Sequence, residues 1–176
     1  TILLNGRNIQ EYSEEEYYKL LAVVFQDFKL FSFSIRENIC MNQPCDAQDV
    51  EEALHKAGLT ERIARLPKGI ETPLYKNFEE DGIELSGGEM QKLTIARAVY
   101  KDCPIVVLDE PTAALDPYAE YEIYSKFNEL VDNRTAIYIS HRLSSCRFCD
   151  HIAVFNEGRL VEYGTWEELE KANGLY

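Results

Sequence analysis

The sequence contains no long apolar run, which limits how it can meet a membrane. Its longest apolar stretch, Leu20 to Phe25, has the length of a buried strand and falls far short of the ~20 residues that cross a bilayer. The N-terminus also lacks the basic stretch that precedes the apolar core of a signal peptide. We therefore expect a domain of cytosolic character that acts at a membrane only through a partner or a segment outside these residues.

Basic residues and cysteines are also scarce. The 18 Lys and Arg residues face 31 Asp and Glu, a net charge of −13, which argues against nucleic acid or anionic lipid as the main partner. Five cysteines, an odd number, favour a reducing compartment. Cys146 and Cys149 form a C-x-x-C pair, but no second pair or spaced histidines complete four ligands. We therefore expect a packing role for these two cysteines and neither a redox nor a metal site.

None of the nine glycines is followed by lysine. The phosphate-binding loop G-x-x-x-x-G-K-[ST] is therefore absent from these residues, and with it the usual nest of N–H groups for the β- and γ-phosphates of a nucleotide. What remains is a length of 176 residues, 45% hydrophobic and 28% charged, which suits one globular domain.

Hydrophobic patterning predicts an α/β fold whose order changes along the chain. Residues 34–101 are predicted to be mainly helical, whereas strands and helices alternate from Pro104 onward. The expected architecture is an α/β core with an inserted helical lobe. Strands are predicted over Ile2–Ile9 (two, joined at Asn5-Gly6), Ala22–Phe25, Ile105–Leu108, Thr135–Ser140, Ile152–Phe155 and Arg159–Glu162, and helices after Ser13, after Asp46, over Thr60–Arg65, Met90–Tyr100, Pro117–Val131 and Leu143–Phe148, and after Thr165.

The stretch Leu85-Ser86-Gly87-Gly88-Glu89 opens a long predicted helix, Met90–Tyr100. Two glycines after a serine leave backbone N–H groups uncovered at the positive end of that helix, and Ser86 adds a hydroxyl. Such a helix start is an anion site. A serine N-cap followed by flexible glycines explains the same residues, and the stretch alone does not decide between the two interpretations.

A second stretch, Ile105 to Pro111, ends a β-branched run with two acids. A buried parallel strand would place Asp109 and Glu110 at the carboxyl edge of a sheet, where α/β proteins bind ligands. Asp109 would suit Mg²⁺ and Glu110 a general base for an attacking water. Two solvated acids at the end of a strand would look the same.

Three further features are weak when taken singly. Asp116, in Ala114-Leu115-Asp116-Pro117, suits the cap of the next helix, His141 follows the next predicted strand, and Gln26 follows Val23-Val24-Phe25. Together, however, LSGGE, IVVLDEP, ALD and SHR, in this order and at these separations, closely resemble the ATP-binding cassette (ABC) ATPases. In that family they are the signature motif, Walker B, D-loop and H-loop, and Gln26 matches the Q-loop glutamine. The resemblance covers nearly the whole chain.

The resemblance implies a P-loop NTPase-like (RecA-like) core with an inserted α-helical subdomain, lacking the Walker A strand, loop and helix. Residues 1–26 would be a core remnant up to the Q-loop, 27–103 the mainly helical subdomain with the signature motif, and 104–176 the core with Walker B, D-loop and H-loop. Because Walker A lies upstream of all these motifs in the family, the sequence is expected to begin just after the Walker A helix. The chain by itself is then expected to be unable to bind or hydrolyse ATP.

Roles at the core motifs follow from the same resemblance. Asp109 would position Mg²⁺, Glu110 would polarise the attacking water, and His141 would contact the γ-phosphate. Gln26 would sense metal and water while touching the membrane domain.

The signature and D-loop residues would act across a head-to-tail dimer of two such domains. The signature residues Leu85, Ser86, Gly87, Gly88 and Glu89 would bind an ATP held mainly by the opposing subunit, with Ser86 and the two glycines on its γ-phosphate. Asp116 would work across the same interface. The chain departs from the family in having Glu89 where glutamine is usual.

Two short sequence stretches favour an exporter, because LFSFSIRENI after Gln26 and the final NGLY resemble the corresponding stretches of exporter domains. The implied function is ATP hydrolysis that powers export, with ATP and Mg²⁺ as cofactors, at the cytoplasmic face of the cell membrane. The implied partners are a second nucleotide-binding domain and the transmembrane domain of the exporter, and no nucleic acid. Two alternatives stay open: a soluble ABC ATPase unconnected with transport, and a non-catalytic remnant or regulatory module.

Overall fold

The computed structural model describes residues 1–41, 43–112, 120–121, 123, 125, 131, 134–142, 146–172 and 174–175. The chain divides into two compact units, Thr1–Ile137 and Tyr138–Tyr176. Within the described residues, every helix is too short or too polar to traverse a bilayer.

The first unit opens with a small hairpin. Strands β1 (Leu3–Leu4) and β2 (Arg7–Asn8) pair in antiparallel fashion. The turn between them uses two residues with positive φ, Asn5 at 51° and Gly6 at 81°, as an Asn-Gly turn of this kind requires. The second strand is shorter than predicted, because Ile9–Glu11 form a 3₁₀ turn in which the Asn8 side chain accepts from the Gln10 N–H at 3.2 Å.

A three-stranded sheet follows, with strand order β3-β4-β5. Helix α1 (Glu14–Leu20) leads directly into β3 (Leu21–Val24), which pairs in parallel with β4 (Ile105–Asp109). Strand β5 (Thr135–Ile139) begins in this unit. Eighty residues therefore separate two neighbouring strands, and the helical part of the unit lies in that interval.

The interval contains four helices and an extended segment. From Thr72 to Ser86 the chain is not helical, contrary to the prediction that residues 34–101 are mainly helical. Its backbone instead pairs through the bridges Ser34–Pro73 and Leu74–Ile83. Gly82 is required there, because a Cβ atom at this position would overlap the Tyr75 carbonyl. The helices are α2 (Ile35–Cys40), α3 (Ala47–Lys56), α4 (Thr60–Ala64) and α5 (Gly87–Tyr100), with a 3₁₀ turn at Gly69–Glu71.

The helices bury a common apolar core, with α2 and α3 packed against α5. Fully buried side chains from all three helices fill it, including Ile39, Leu54 and Leu93. Cys40 and Cys45 are joined by a disulfide just after α2. The odd number of cysteines favoured a reducing compartment, in which this disulfide was not expected. Among the described cysteines, Cys103, Cys146 and Cys149 are free.

The second unit is built on a hairpin and a helix. Strands β6 (Ile152–Asn156) and β7 (Arg159–Gly164) pair in antiparallel fashion around a turn in which Glu157 and Gly158 have positive φ. Helix α6 (Trp166–Ala172) follows, and Thr165 caps it as predicted, its Oγ1 accepting from the Glu168 N–H at 3.3 Å.

Two predicted helices fall largely outside the described residues. Within the predicted helix Pro117–Val131, the described residues Glu120, Tyr121, Ile123, Ser125 and Val131 are helical. Within Leu143–Phe148, only the last three residues are described, and Cys146 begins a tight turn there.

Candidate functional site

The two acids of the Walker B stretch lie at the carboxyl edge of the parallel strands. Val24 of β3 is opposite Leu108 of β4. The carboxyl ends of β3 and β4 therefore lie at the same edge of the sheet. Gln26 comes shortly after the end of β3, Asp109 is the last residue of β4, and Glu110 follows Asp109. Both acids are half-buried and Gln26 is exposed. The structure thus brings together three of the predicted site residues in one unit.

Glu110 holds an unusual backbone conformation. Its φ of +47° is left-handed, which costs a non-glycine residue about 1 to 3 kcal/mol. The Nε2 group of Gln91, on α5, donates to the Glu110 carbonyl oxygen at 3.1 Å, and Gln91 is 1% exposed. A buried side chain from the signature helix therefore helps to fix the backbone at Glu110.

Helix α5 begins at Gly87, one residue after Ser86, and so earlier than the predicted Met90. The reason is a capping box: the Ser86 hydroxyl accepts from the Glu89 N–H at 3.3 Å, and a Glu89 carboxylate oxygen accepts from the Ser86 N–H at 2.8 Å. This box does not use the N–H groups of Gly87 and Gly88, which lie in the first turn. Ser86 and Gly87 are exposed, whereas Leu85 is buried and anchors the turn.

Glu89 also binds a second helix. Its other carboxylate oxygen accepts from Nε of Arg62, on α4, at 2.6 Å. Burial acts to raise the pKa of Glu89, but the Ser86 N–H, the Arg62 guanidinium and the Ser86 hydroxyl together hold this pKa below its usual value. Glu89 is therefore a carboxylate at neutral pH, paired with one cation.

The remaining predicted residues are placed as follows. His141 belongs to the second unit, follows β5 and is exposed; its role at the γ-phosphate stays a prediction. Asp116 lies outside the described residues. In the C-x-x-C pair, burial raises the pKa of Cys149 to about 11, so its thiol stays protonated near neutral pH. A protonated thiol is a poor nucleophile, and the packing role of the two cysteines stays a prediction.

Sequence reasoning missed Arg62 and Gln91. Gln91 could have been found, since it shares one helix face with Thr94, Ile95 and Ala98, all buried, and a buried amide at such a position needs a specific partner. No signal in the sequence singles out Arg62, because its partner Glu89 lies 27 positions away on another helix.

The donor atoms at the sheet edge fit magnesium. Asp109 offers a carboxylate and Gln26 an amide oxygen, and Mg²⁺ prefers oxygen ligands while keeping several waters or phosphate oxygens. In the part of the chain that the structure describes, no three His, Cys, Asp or Glu side chains form a metal-binding group. Asp109 and Gln26 would be the residues that hold such an ion at this sheet edge.

Comparison with known proteins gives one family. A family model described as "ABC transporter" matches residues 1–113. The ATP-dependent lipid A-core flippase of Cupriavidus pinatubonensis is 42% identical over 99% of this chain and 30% of the flippase. The mycobactin import ATP-binding/permease protein IrtA of Mycolicibacterium smegmatis is 40% identical over 99% of this chain and 20% of its own length.

The same likeness holds in three dimensions. The structure of a bacterial Atm1-family ABC exporter with ATP bound matches 98% of this chain with a TM-score of 0.88 and 36% sequence identity. The match covers 30% of the exporter chain. The present chain thus spans 30% or less of the length of these three proteins.

Proposed function

Because the chain belongs to the ABC transporter family, we propose that it forms the part of an exporter's nucleotide-binding domain that hydrolyses ATP. The observation that carries this proposal is the meeting of Gln26, Asp109 and Glu110 at one sheet edge, with the signature helix bonded to the Glu110 carbonyl. Residues 1–26 and 104–176 would be its core and 27–103 its helical subdomain.

In this proposal each residue has a limited task. Asp109 and Gln26 hold Mg²⁺, which neutralises phosphate charge when it is bound. Glu110 accepts a proton from, or orients, the water that attacks the γ-phosphate. The first turn of α5 presents Ser86, Gly87 and Gly88 to the γ-phosphate of an ATP on a second nucleotide-binding domain, where the helix dipole favours an anion. For His141 the resemblance implies a contact with the γ-phosphate and for Asp116 a role across the interface of the two domains; both stay predictions.

An exposed aromatic surface supports a membrane-domain partner. The rings of Phe31 and Phe33 stack with centroids 6.1 Å apart, and both are exposed. The segment that bears them is held by Asn38, fully buried, which accepts from the Phe31 N–H and donates to the Phe31 carbonyl, each at 2.9 Å. Exposed aromatic side chains on an ordered segment suit a protein interface. We assign this surface to the transmembrane domain, which places the chain at the cytoplasmic face of the membrane.

The test uses a chimera in which this chain replaces the matched segment of the C. pinatubonensis flippase. Glu110→Gln should slow ATP hydrolysis by roughly 100- to 10,000-fold, because the water loses its base. Glu61→Gln, which removes an exposed carboxylate from α4, should leave the rate unchanged. Equal rates for Glu110→Gln and the unaltered chimera would exclude Glu110 as the base. Transport assays in oriented vesicles would then establish the direction, since one relative is named for import.

The chain on its own should not bind ATP. It has no G-x-x-x-x-G-K-[ST] loop, and that loop supplies most of the hydrogen bonds to the β- and γ-phosphates in P-loop proteins. Calorimetric titration of the 176-residue chain with Mg-ATP should show no saturable binding at millimolar nucleotide. Tight binding would contradict this expectation and would point to a different nucleotide site.

A further inference from the structure

Glu89 introduces a negative charge where the proposed function requires an anion to bind. It is the third residue of α5, in the same turn as Gly87 and Gly88. A carboxylate there favours the helix itself, but an unpaired one would repel a phosphate that approaches the same N–H groups.

Arg62, which lies on α4, forms an ion pair with Glu89. Its Nε group lies 2.6 Å from one Glu89 oxygen, while the other Glu89 oxygen stays on the Ser86 N–H at 2.8 Å. The two side chains are only 36% and 26% exposed, so solvent screens this pair less than a fully exposed one. The guanidinium thus cancels the charge and fixes the carboxylate in the capping position at the same time.

We infer that Arg62 is a positioning residue for the phosphate-binding turn: by pairing with Glu89, it lets an acidic signature motif present Ser86, Gly87 and Gly88 to a phosphate. This inference rests on the proposed function of that turn. In this inference Arg62 acts only through Glu89. It follows that Arg62 is needed only while residue 89 is acidic.

The same helix provides a matched control. Arg65, the residue directly after α4, also pairs with a glutamate, Glu61 of α4, at 3.2 Å, but those side chains are 75% and 88% exposed. Arg65→Ala therefore removes the same chemical group and an ion pair, without touching α5. Exposed pairs of this kind contribute little.

The first experiment uses the 176-residue chain and needs no nucleotide. Amide hydrogen exchange of Ser86 and Glu89, the two N–H groups of the capping box, should be about fivefold faster in Arg62→Ala, a change expected for loss of a ~1 kcal/mol pair. Arg65→Ala should leave both rates unchanged. Unchanged rates in Arg62→Ala would overturn the inference, whatever the chain's activity.

The second experiment is a double-mutant cycle on ATP hydrolysis by the flippase chimera. Arg62→Ala should raise the KM for ATP about fivefold, with a smaller change in kcat, since repulsion acts on phosphate binding. The double variant Arg62→Ala/Glu89→Gln should have the same KM as Glu89→Gln alone, because Arg62 is needed only while residue 89 is acidic. A double variant as impaired as Arg62→Ala would overturn the inference. A chimera with no ATPase activity would count against the proposed function, and hydrogen exchange would still decide the role of Arg62.

Discussion

Helices α2 and α5 start with the same local sequence device, Ser-x-x-Glu, and their first turns have opposite surroundings. In α2, Ser34 and Glu37 form a capping box with hydrogen bonds of 2.9 and 3.1 Å, as Ser86 and Glu89 do in α5. The residue after Ser34 is Ile35, which is 0% exposed and donates its N–H to the Thr72 carbonyl at 3.0 Å. The residue after Ser86 is the exposed Gly87.

The difference shows that the cap alone does not determine whether the first turn of a helix is buried or exposed. The residues between the serine and the glutamate determine it. A large apolar side chain directs the turn of α2 into the core, whereas the glycine pair leaves the backbone of α5 accessible to a ligand. The comparison therefore predicts that equivalent substitutions will cost stability in one helix and activity in the other.

The largest effect is expected for Ile35→Ala. Deleting a fully buried isoleucine side chain should lower the free energy of unfolding by about 2 to 5 kcal/mol. Chemical denaturation of the 176-residue chain measures this value. Ile2→Ala, at a residue that is 66% exposed, is the matched control and should change stability by less than about 0.5 kcal/mol. A loss below ~1 kcal/mol for Ile35→Ala would mean that the first turn of α2 is not anchored in the core.

Gly87→Pro should produce the opposite result. Proline is tolerated at the first position of a helix, and Ser86, with φ −64° and ψ 159°, already has the extended conformation required before proline. Folding stability should therefore change little. Because the substitution removes one of the backbone N–H groups that the proposed function assigns to the phosphate, ATP turnover by the flippase chimera should fall about 100-fold.

Stability and turnover must be measured together for Gly87→Pro. Denaturation of the 176-residue chain should give a free energy of unfolding within about 1 kcal/mol of the unaltered chain, whereas steady-state hydrolysis in the chimera should fall. A variant that keeps full turnover would remove Gly87 from the phosphate site. A variant that unfolds would show that this turn, like that of α2, is structural.

The sequence predicted the family and the elements that depend on local chemistry. The comparisons confirm the resemblance to ABC exporter nucleotide-binding domains and the α/β P-loop NTPase fold. Capped helices after Ser13, Asp46 and Thr165 are present, since side-chain caps are encoded within four residues.

What the sequence did not predict depends on distant partners. The segment from Thr72 to Ser86 was predicted to be helical because it lies within the mainly helical region 34–101. Its backbone instead pairs with residues 33–35, which are distant in the sequence and come close to it only in the folded chain. The Arg62–Glu89 and Gln91–Glu110 contacts join residues 27 and 19 positions apart. Periodicity within one element cannot identify such a pair.

The smallest expected effect is a difference between the two capping glutamates, Glu37 and Glu89, in how the stability they contribute depends on pH. Hydrogen bonds from the Ser34 hydroxyl and N–H lower the pKa of Glu37. Glu89 also has a lowered pKa; burial, which raises the pKa at both glutamates, is the largest influence at Glu89, and there Arg62 contributes to the lowering. Because both values are depressed in the folded state, each carboxylate stabilises the fold above the ordinary glutamate pKa of 4.5, and this contribution is lost as the pH falls through the folded-state pKa.

Arg62→Ala should therefore act on one cap and spare the other. NMR titration of the side-chain carboxyl groups should show a higher pKa for Glu89 and an unchanged pKa for Glu37, because no part of the Glu37 cap involves Arg62. The accompanying loss of stability above pH 4.5 should stay below about 1 kcal/mol, the usual magnitude for a cap or a partly exposed pair. Equal shifts at both glutamates would mean that the substitution disturbs the helical part as a whole, and the contrast between the two helix starts would no longer hold.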